Sequence, residues 1–231
     1  GSNTPPKFLN SLGTFPTRYW HNGYFDGHGE INAKKMLEKI VIKNKACWNC
    51  PIACGKISEV KEGKYKGTKV DGPDNETIYA FGGLCEIADI EAIAKFNELC
   101  DRYGMDTMTA GNVVAFAMEA YENGILKSDR PLKFGDPEAV IYALEKIVKG
   151  EGIGKILSQG VRSASIALGV EDLAIHVKGL EPAGYDPRGL KGMALSYVTS
   201  TRGACHLRSM VYTPEMTGKV DRFDTSVEKV A

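Results

Sequence analysis

Three of the six cysteines in this 231-residue chain lie within eight residues, as Cys47, Cys50 and Cys54 in the spacing C-x2-C-x3-C. Thiols grouped this tightly usually bind a metal, because reactive thiols are otherwise open to oxidation. A tight loop can supply three of the thiolates of an iron–sulfur cluster, and a tetrahedral zinc site is the chemical alternative. Both sites use four ligands, so the pattern predicts a metal loop that lacks its fourth ligand.

The remaining cysteines are the candidates for that fourth ligand within the chain. Cys100 falls on the apolar face of a predicted helix and Cys85 lies close to a pair of glycines. We interpret both as small buried side chains, because free cysteines are commonly buried. Cys205 stands next to His206 and is not assigned as a ligand.

Two further stretches carry groups that could bind or transfer protons. Asp101 and Asp106 flank Gly104 in NELCDRYGMDTMTAG, and carboxylates can accept hydrogen bonds from the N–H groups of a heterocycle. Glu76, in GPDNETIYAFGG, and His206, in STRGACHLRS, have the side-chain types that act in proton transfer. Each of these patterns taken singly is more often structural, so spacing alone assigns none of them a role.

Composition excludes several classes of partner. The 29 basic residues balance 29 acidic ones and form no long basic run, so neither nucleic acid nor an anionic membrane is an expected partner. No apolar run approaches the roughly 18 residues of a membrane span. Clustered cysteines in a sequence without an export signal predict a cytoplasmic metal protein.

Periodicity predicts the elements that must position these residues. A short helix is expected over residues 33–43, and a second one places Ile93, Phe96 and Cys100 on one face before Gly104 ends it. Asp136-Pro137 is a strong start signal for a further helix. We also expect one short hairpin after Cys54, an extended segment over 173–177 and a last helix ending near residues 202–203. The predicted fold is mainly α, a multihelical domain with a few short strands or hairpins.

Four segments together resemble the aldehyde ferredoxin oxidoreductase family of tungsten- or molybdenum-pterin enzymes. They are GTFPTRYWHNGYFDG, ACWNCPIACGK, ETIYAFGG with NELCDRYGMDTMTAGN, and DPRGLKGMALSYVTSTRGACHLR, in the family's order. The resemblance implies oxidation of an aldehyde to a carboxylic acid, with a bis-pterin metal and a [4Fe–4S] cluster passing electrons to ferredoxin. It therefore implies a small aldehyde substrate and ferredoxin as partners.

The resemblance also implies roles for particular residues. Cys47, Cys50 and Cys54 match three ligands of the family's single [4Fe–4S] cluster. Glu76 and His206 match the acid and the histidine that family members place beside the metal. The pterin-contacting segment D-x-x-G-L-D corresponds to Asp101, Gly104, Met105 and Asp106, with Met105 in place of the usual leucine.

The sequence departs from the family pattern because it contains only part of the family's length. Nothing corresponds to the family's N-terminal pterin domain, and a later D-x-x-G-L-C segment, whose cysteine is the fourth cluster ligand, is not found before Ala231. The resemblance therefore implies a helical domain over residues 3–180, carrying the cysteine loop and the first pterin segment, and the beginning of a truncated final domain over 181–231. We expect the isolated chain to be inactive, with its cofactors absent or incomplete.

Other functions remain open from the residues alone. A non-catalytic iron–sulfur or zinc module for electron transfer or structure would need only the cysteines, and would make no use of Glu76, Asp101 or His206. A helical scaffold with purely structural cysteines is the third hypothesis. The sequence does not identify the aldehyde and does not distinguish tungsten from molybdenum. It also leaves the oligomeric state undetermined.

Overall fold

The computed structural model describes residues 5–218. Over that range the chain is mainly helical, with one small antiparallel sheet, as the sequence predicts. The helices are α1 (Pro5–Ser11), α2 (Ala33–Lys39), α3 (Asn75–Thr77), α4 (Ile90–Tyr103), α5 (Thr107–Glu122), α6 (Pro137–Lys149), α7 (Gly154–Leu157), α8 (Gly160–Leu168), α9 (Lys191–Thr199) and α10 (Tyr212–Met216). The strands are β1 (Val41–Lys45), β2 (Gly55–Glu59) and β3 (Lys69–Asp71). Short 3-10 helices span Asp26–Glu30 and Glu171–Leu173, and a π-helix spans Ile78–Gly83.

The long helices begin and end where their capping residues predict. Asp136 accepts a hydrogen bond from the Glu138 backbone N–H and Pro137 opens α6. Gly104 ends α4 with φ 68° and donates its N–H to the carbonyls at the end of that helix. A residue with a Cβ is strained in this left-handed conformation, which explains glycine at this position.

The core forms where α4 and α5 pack against the π-helix. Gly111 of α5 allows this approach, because a Cβ at that position would lie 2.5 Å from the Ala80 Cβ. Phe81 of the π-helix packs against Phe96 of α4 with ring centroids 5.2 Å apart. α6 packs on α4 and α8 packs on α5, which surrounds the π-helix segment with buried apolar side chains.

The three strands form one antiparallel sheet in the order β1-β2-β3. Lys45 pairs with Gly55, so the cysteine segment 46–54 is the loop of the β1–β2 hairpin. The hairpin expected after Cys54 is present as β2 and β3. The helix predicted over residues 33–43 is wrong beyond Lys39, because Val41 and its neighbours pair with β2 instead. Tertiary pairing overrides the helical pattern at β-branched residues that fit a sheet well.

Two predictions in the C-terminal part also need correction. The last long helix ends at Thr199 rather than near Gly203, where φ is 112° and a Cβ would lie 2.3 Å from the Val177 carbonyl oxygen. The extended segment expected over 173–177 contributes only a bridge between Val177 and Leu180. The predicted final domain, 181–231, runs past the described residues, so the domain division stays a prediction. Within residues 5–218 no helix is long and apolar enough to cross a bilayer.

Candidate active site

Glu76 and His206, which are distant in sequence, meet in the structure. The His206 Nε2 atom lies 3.7 Å from the Glu76 Oε1 atom, and the two side chains are 13% and 17% exposed. α3 carries Glu76, while the turn that follows α9 carries His206. The structure therefore brings together the acid and the imidazole that the resemblance pairs.

The Glu76 carboxylate is held by two donors. The Gly184 backbone N–H donates to Oε2 at 3.0 Å, and the Asn75 Nδ2 donates to Oε1 at 3.0 Å. Gly184 can approach this closely because it has no Cβ; one would lie 2.6 Å from the Tyr79 ring. Burial is nevertheless the largest influence, and it raises the Glu76 pKa to about 7, with Asp74 and Asp106 acting in the same direction.

The environment of His206 lowers its proton affinity, whereas the environment of Glu76 raises that of the acid. Burial, followed by the positive charge of Arg202, lowers the pKa of His206 below its ordinary value. The imidazole packs beside Tyr185 with ring centroids 5.7 Å apart, and Tyr185 stacks on Tyr212 at 4.1 Å. A histidine ordinarily holds a proton more tightly than a glutamic acid. Here the two pKa shifts act in opposite directions, which removes the usual advantage of the histidine as a proton acceptor.

The segment Asp101–Asp106 lies at the junction of α4 and α5. Asp106 caps α5 by accepting a 2.7 Å hydrogen bond from the Thr109 backbone N–H. Asp101 accepts from the Asn97 Nδ2 at 2.9 Å, and desolvation together with the charges of Asp71 and Asp74 raises its pKa. Both acids are exposed, so they remain open to a ligand on the side of the helix junction.

This acidic segment adjoins the Glu76 site. The hydroxyl groups of Thr77 and Thr107 lie 2.8 Å apart and join the end of α3 to the start of α5. Asp74 caps α3 by accepting from the Thr77 backbone N–H at 3.0 Å. Its charge raises the pKa values of Glu76, Asp101 and His206, so the predicted catalytic pair and the predicted pterin segment share one electrostatic environment.

The cysteine loop lies at the tip of the β1–β2 hairpin. Cys47 and Cys54 are exposed, Cys50 is partly buried, and the Cys50 N–H donates to the Cys47 carbonyl at 3.1 Å. Three thiols on one short loop suit an iron–sulfur cluster or zinc by donor type. Within residues 5–218, however, no three histidine, cysteine or acidic side chains are arranged as a metal site. The assignment of these cysteines as cluster ligands stays a prediction.

The sheet connects this loop to the acidic segment. Lys45, at the end of β1, forms a salt bridge with Asp71 at the end of β3. Asp71 in turn raises the pKa of Asp101. The chain then runs through residues 72–74 into α3, which links the sheet that carries the cysteine loop to Glu76 along the sequence.

Sequence reasoning missed several residues of this site. Asn75, Gly184, Tyr185 and Tyr212 contact Glu76 or His206, yet none of them was a candidate. Adjacency to Glu76 was a usable signal for Asn75. No spacing rule could identify the other three, because long-range packing brings them to the site.

Comparison with known proteins assigns the chain to a family of redox enzymes. The family model described as "Aldehyde ferredoxin oxidoreductase, domains 2 & 3" matches residues 1–231, so the chain belongs to the aldehyde ferredoxin oxidoreductase family. The prediction of family and of a mainly helical fold is thereby confirmed.

Individual relatives agree with this membership. The chain is 34% identical over 232 residues to a tungsten-containing aldehyde ferredoxin oxidoreductase of Pyrococcus furiosus, and 37% identical over 235 residues to that of Pyrococcus horikoshii. These alignments cover 97% of this chain and 38% of each relative, so the chain spans well under half of their length. It is also 34% identical over 203 residues to the WOR-like subunit of an aliphatic sulfonate oxidoreductase of Pyrococcus furiosus, covering 83% of this chain and 32% of that protein.

A solved structure shares the fold. The active-site complex BamBC of benzoyl coenzyme A reductase, bound to 1,5-dienoyl-CoA, matches with a TM-score of 0.66 and 24% identity. The match covers 85% of this chain and 30% of that one. At this identity the likeness shows the fold alone.

Proposed function

We propose that this chain is the part of an aldehyde:ferredoxin oxidoreductase that holds the iron–sulfur loop, one pterin-contact segment and the proton relay. The observation that carries the proposal is the meeting of Glu76 with His206 beside the segment Asp101–Asp106. A non-catalytic metal module would not need a buried acid and imidazole at one site. The convergence of these residues therefore favours the enzyme over the electron-transfer or structural module.

The proposed chemistry needs a group that takes up protons. Oxidising an aldehyde to a carboxylic acid with an oxygen atom from water releases two electrons and two protons. Glu76 accepts a proton, because its pKa of about 7 leaves it partly ionised at neutral pH. His206 stays neutral at that pH, so its Nε2 atom can exchange a proton or orient a water molecule beside Glu76.

The donor groups present are of the types that the cofactors of the proposed function require. Cys47, Cys50 and Cys54 would hold a [4Fe–4S] cluster, and Asp101 and Asp106 would accept hydrogen bonds from a pterin. When bound, a tungsten or molybdenum bis-pterin supplies two-electron chemistry and the cluster supplies one-electron transfer to ferredoxin. The names of the relatives favour tungsten. The cytoplasmic location predicted from the clustered thiols stays a prediction.

The test uses the full-length parent protein loaded with its cofactors. Aldehyde-dependent reduction of ferredoxin should fall by about 10²–10⁴ in His206→Asn, which is typical for loss of a proton-transfer group. The broad charge-transfer absorption of the cluster should persist in that variant and disappear in Cys50→Ser. A parent that folds with zinc and takes up no iron and sulfide, or a loaded parent that oxidises no aldehyde, would overturn the proposal.

A further inference from the structure

Asn75 directly precedes Glu76 and is almost completely buried, with 6% exposure. Its Nδ2 atom donates to Glu76 Oε1 at 3.0 Å, and that oxygen is also the one that faces His206 Nε2 at 3.7 Å. The other carboxylate oxygen, Oε2, accepts from the Gly184 N–H. A backbone N–H can only donate, so it favours an unprotonated Oε2 and leaves Oε1 as the atom that takes a proton.

The second polar atom of Asn75 has no comparable contact. Its Oδ1 atom is buried and has no hydrogen-bond partner among the described residues. A buried acceptor without a partner is costly and uncommon in folded proteins. A half-turn of the terminal torsion exchanges Oδ1 and Nδ2, and this torsion is nearly two-fold in amides. After that turn, Oδ1 would face the Oε1 atom of Glu76 and could accept a hydrogen bond from it.

We propose that Asn75 is the positioning residue of the proton relay, donating to ionised Glu76 and, after a half-turn of its amide, accepting from the protonated acid. The inference rests on the function proposed above and concerns the same site. The proposal explains why the buried Asn75 side chain has a hydrogen bond at its Nδ2 donor and none at its Oδ1 acceptor. The Oδ1 atom accepts a hydrogen bond only when Glu76 is protonated.

Other charged and titratable groups influence Glu76 or its histidine partner. Asp74 and Asp106 disfavour its ionised form, and His206 lies on the side of Oε1. Arg202 lowers the pKa of that histidine. The tyrosines whose ionisation Glu76 opposes are Tyr79, Tyr185 and Tyr197.

The test measures the titration of the Glu76 carboxyl in the full-length protein by difference infrared spectroscopy, with Glu76→Gln as the subtraction reference. In Asn75→Leu, the midpoint should rise by about one pH unit, a tenfold change in proton affinity, because the charge-assisted hydrogen bond lost by the ionised form is stronger than the neutral one lost by the protonated acid. The acid limb of the pH profile of kcat/KM should move by the same amount. If Asn75→Leu does not fold, Asn75→Ala also removes the donor without adding a charge and should raise the midpoint as well.

The chain offers a matched control in a second Asn–Glu–His set. Asn123 Nδ2 donates to Glu119 Oε1 at 3.0 Å, and His21 Nε2 lies 3.1 Å from that oxygen. Asn123→Leu should leave the Glu76 midpoint unchanged. An unchanged midpoint in a folded Asn75 variant would overturn the inference. A raised midpoint in a parent that oxidises no aldehyde would instead retain Asn75 as the positioning residue and refute the proposed function.

Discussion

Replacing Glu76 with glutamine should stabilise the fold above neutral pH while abolishing the proposed proton relay. The Glu76 side chain is only 17% exposed, and burial raises its pKa from 4.5 to about 7. Its ionised form therefore destabilises the folded state. Glutamine has nearly the same shape, keeps an oxygen for the Gly184 N–H and carries no charge, and the Asn75 amide can turn to accept from its new N–H.

The sign and size of the effect follow from linkage between protonation and folding. A folded-state pKa above the unfolded value means that the folded chain binds the proton more tightly. The stability that protonation of Glu76 contributes is therefore fully present below about pH 4.5, is lost as pH rises through the window from 4.5 to 7, and is absent above it. The two values differ by about 2.5 pH units, so the ionised acid costs at most about 3 kcal/mol at 1.36 kcal/mol per unit.

Urea unfolding of the 231-residue chain at pH 5 and pH 8 would measure this effect. Glu76→Gln should exceed wild type by as much as about 3 kcal/mol at pH 8 and by much less at pH 5. Glu62→Gln, at an exposed position, should change stability by less than about 0.5 kcal/mol at either pH. Equal differences between Glu76→Gln and wild type at both pH values would refute the argument from burial.

Two further predictions concern the elements that position the site. Gly111→Ala should lower the free energy of unfolding by about 1–3 kcal/mol, although alanine favours helices, because its Cβ would lie 2.5 Å from the Ala80 Cβ and 2.7 Å from the Ala80 carbonyl carbon. Unchanged or increased stability in urea unfolding would contradict the close packing. Asp106→Ala should lose about 1 kcal/mol with the cap to the Thr109 N–H, whereas Asp106→Asn should retain most of that stability. Equal thermal destabilisation of the two variants would assign the effect to charge rather than to capping.

Local chemistry made the helices predictable. Gly104 and the pair Asp136-Pro137 mark helix ends by conformations and hydrogen bonds that depend only on neighbouring residues. The start of β1 was not predictable in this way. Residues 41–43 continue an apolar helical pattern, and they become a strand because β2 supplies hydrogen-bond partners that lie beyond the cysteine loop.

The candidate site was likewise only partly predictable from the sequence. Glu76 and His206 are ordinary residue types in unremarkable local contexts, and only the family resemblance paired them. The physical reason for their meeting is long-range packing: Tyr79 of the π-helix donates its hydroxyl to the Pro182 carbonyl at 2.9 Å, which holds the segment around Gly184 against α3. No periodicity or spacing in the sequence encodes that contact.

The site also departs from several rules that favour stability. A buried acid is ionisable near neutral pH, the neighbouring Asn75 has an unpaired buried oxygen, and the His206 Nδ1 atom also has no partner among the described residues. The helix that carries Glu76 continues as a π-helix, a geometry that is rare and frequent at functional sites. Costs of this kind persist where the surrounding structure fixes them and function uses them. These departures surround the two residues that we propose as proton-transfer groups, while α4 and α5 follow their local signals closely, and this contrast supports the catalytic role proposed for the pair.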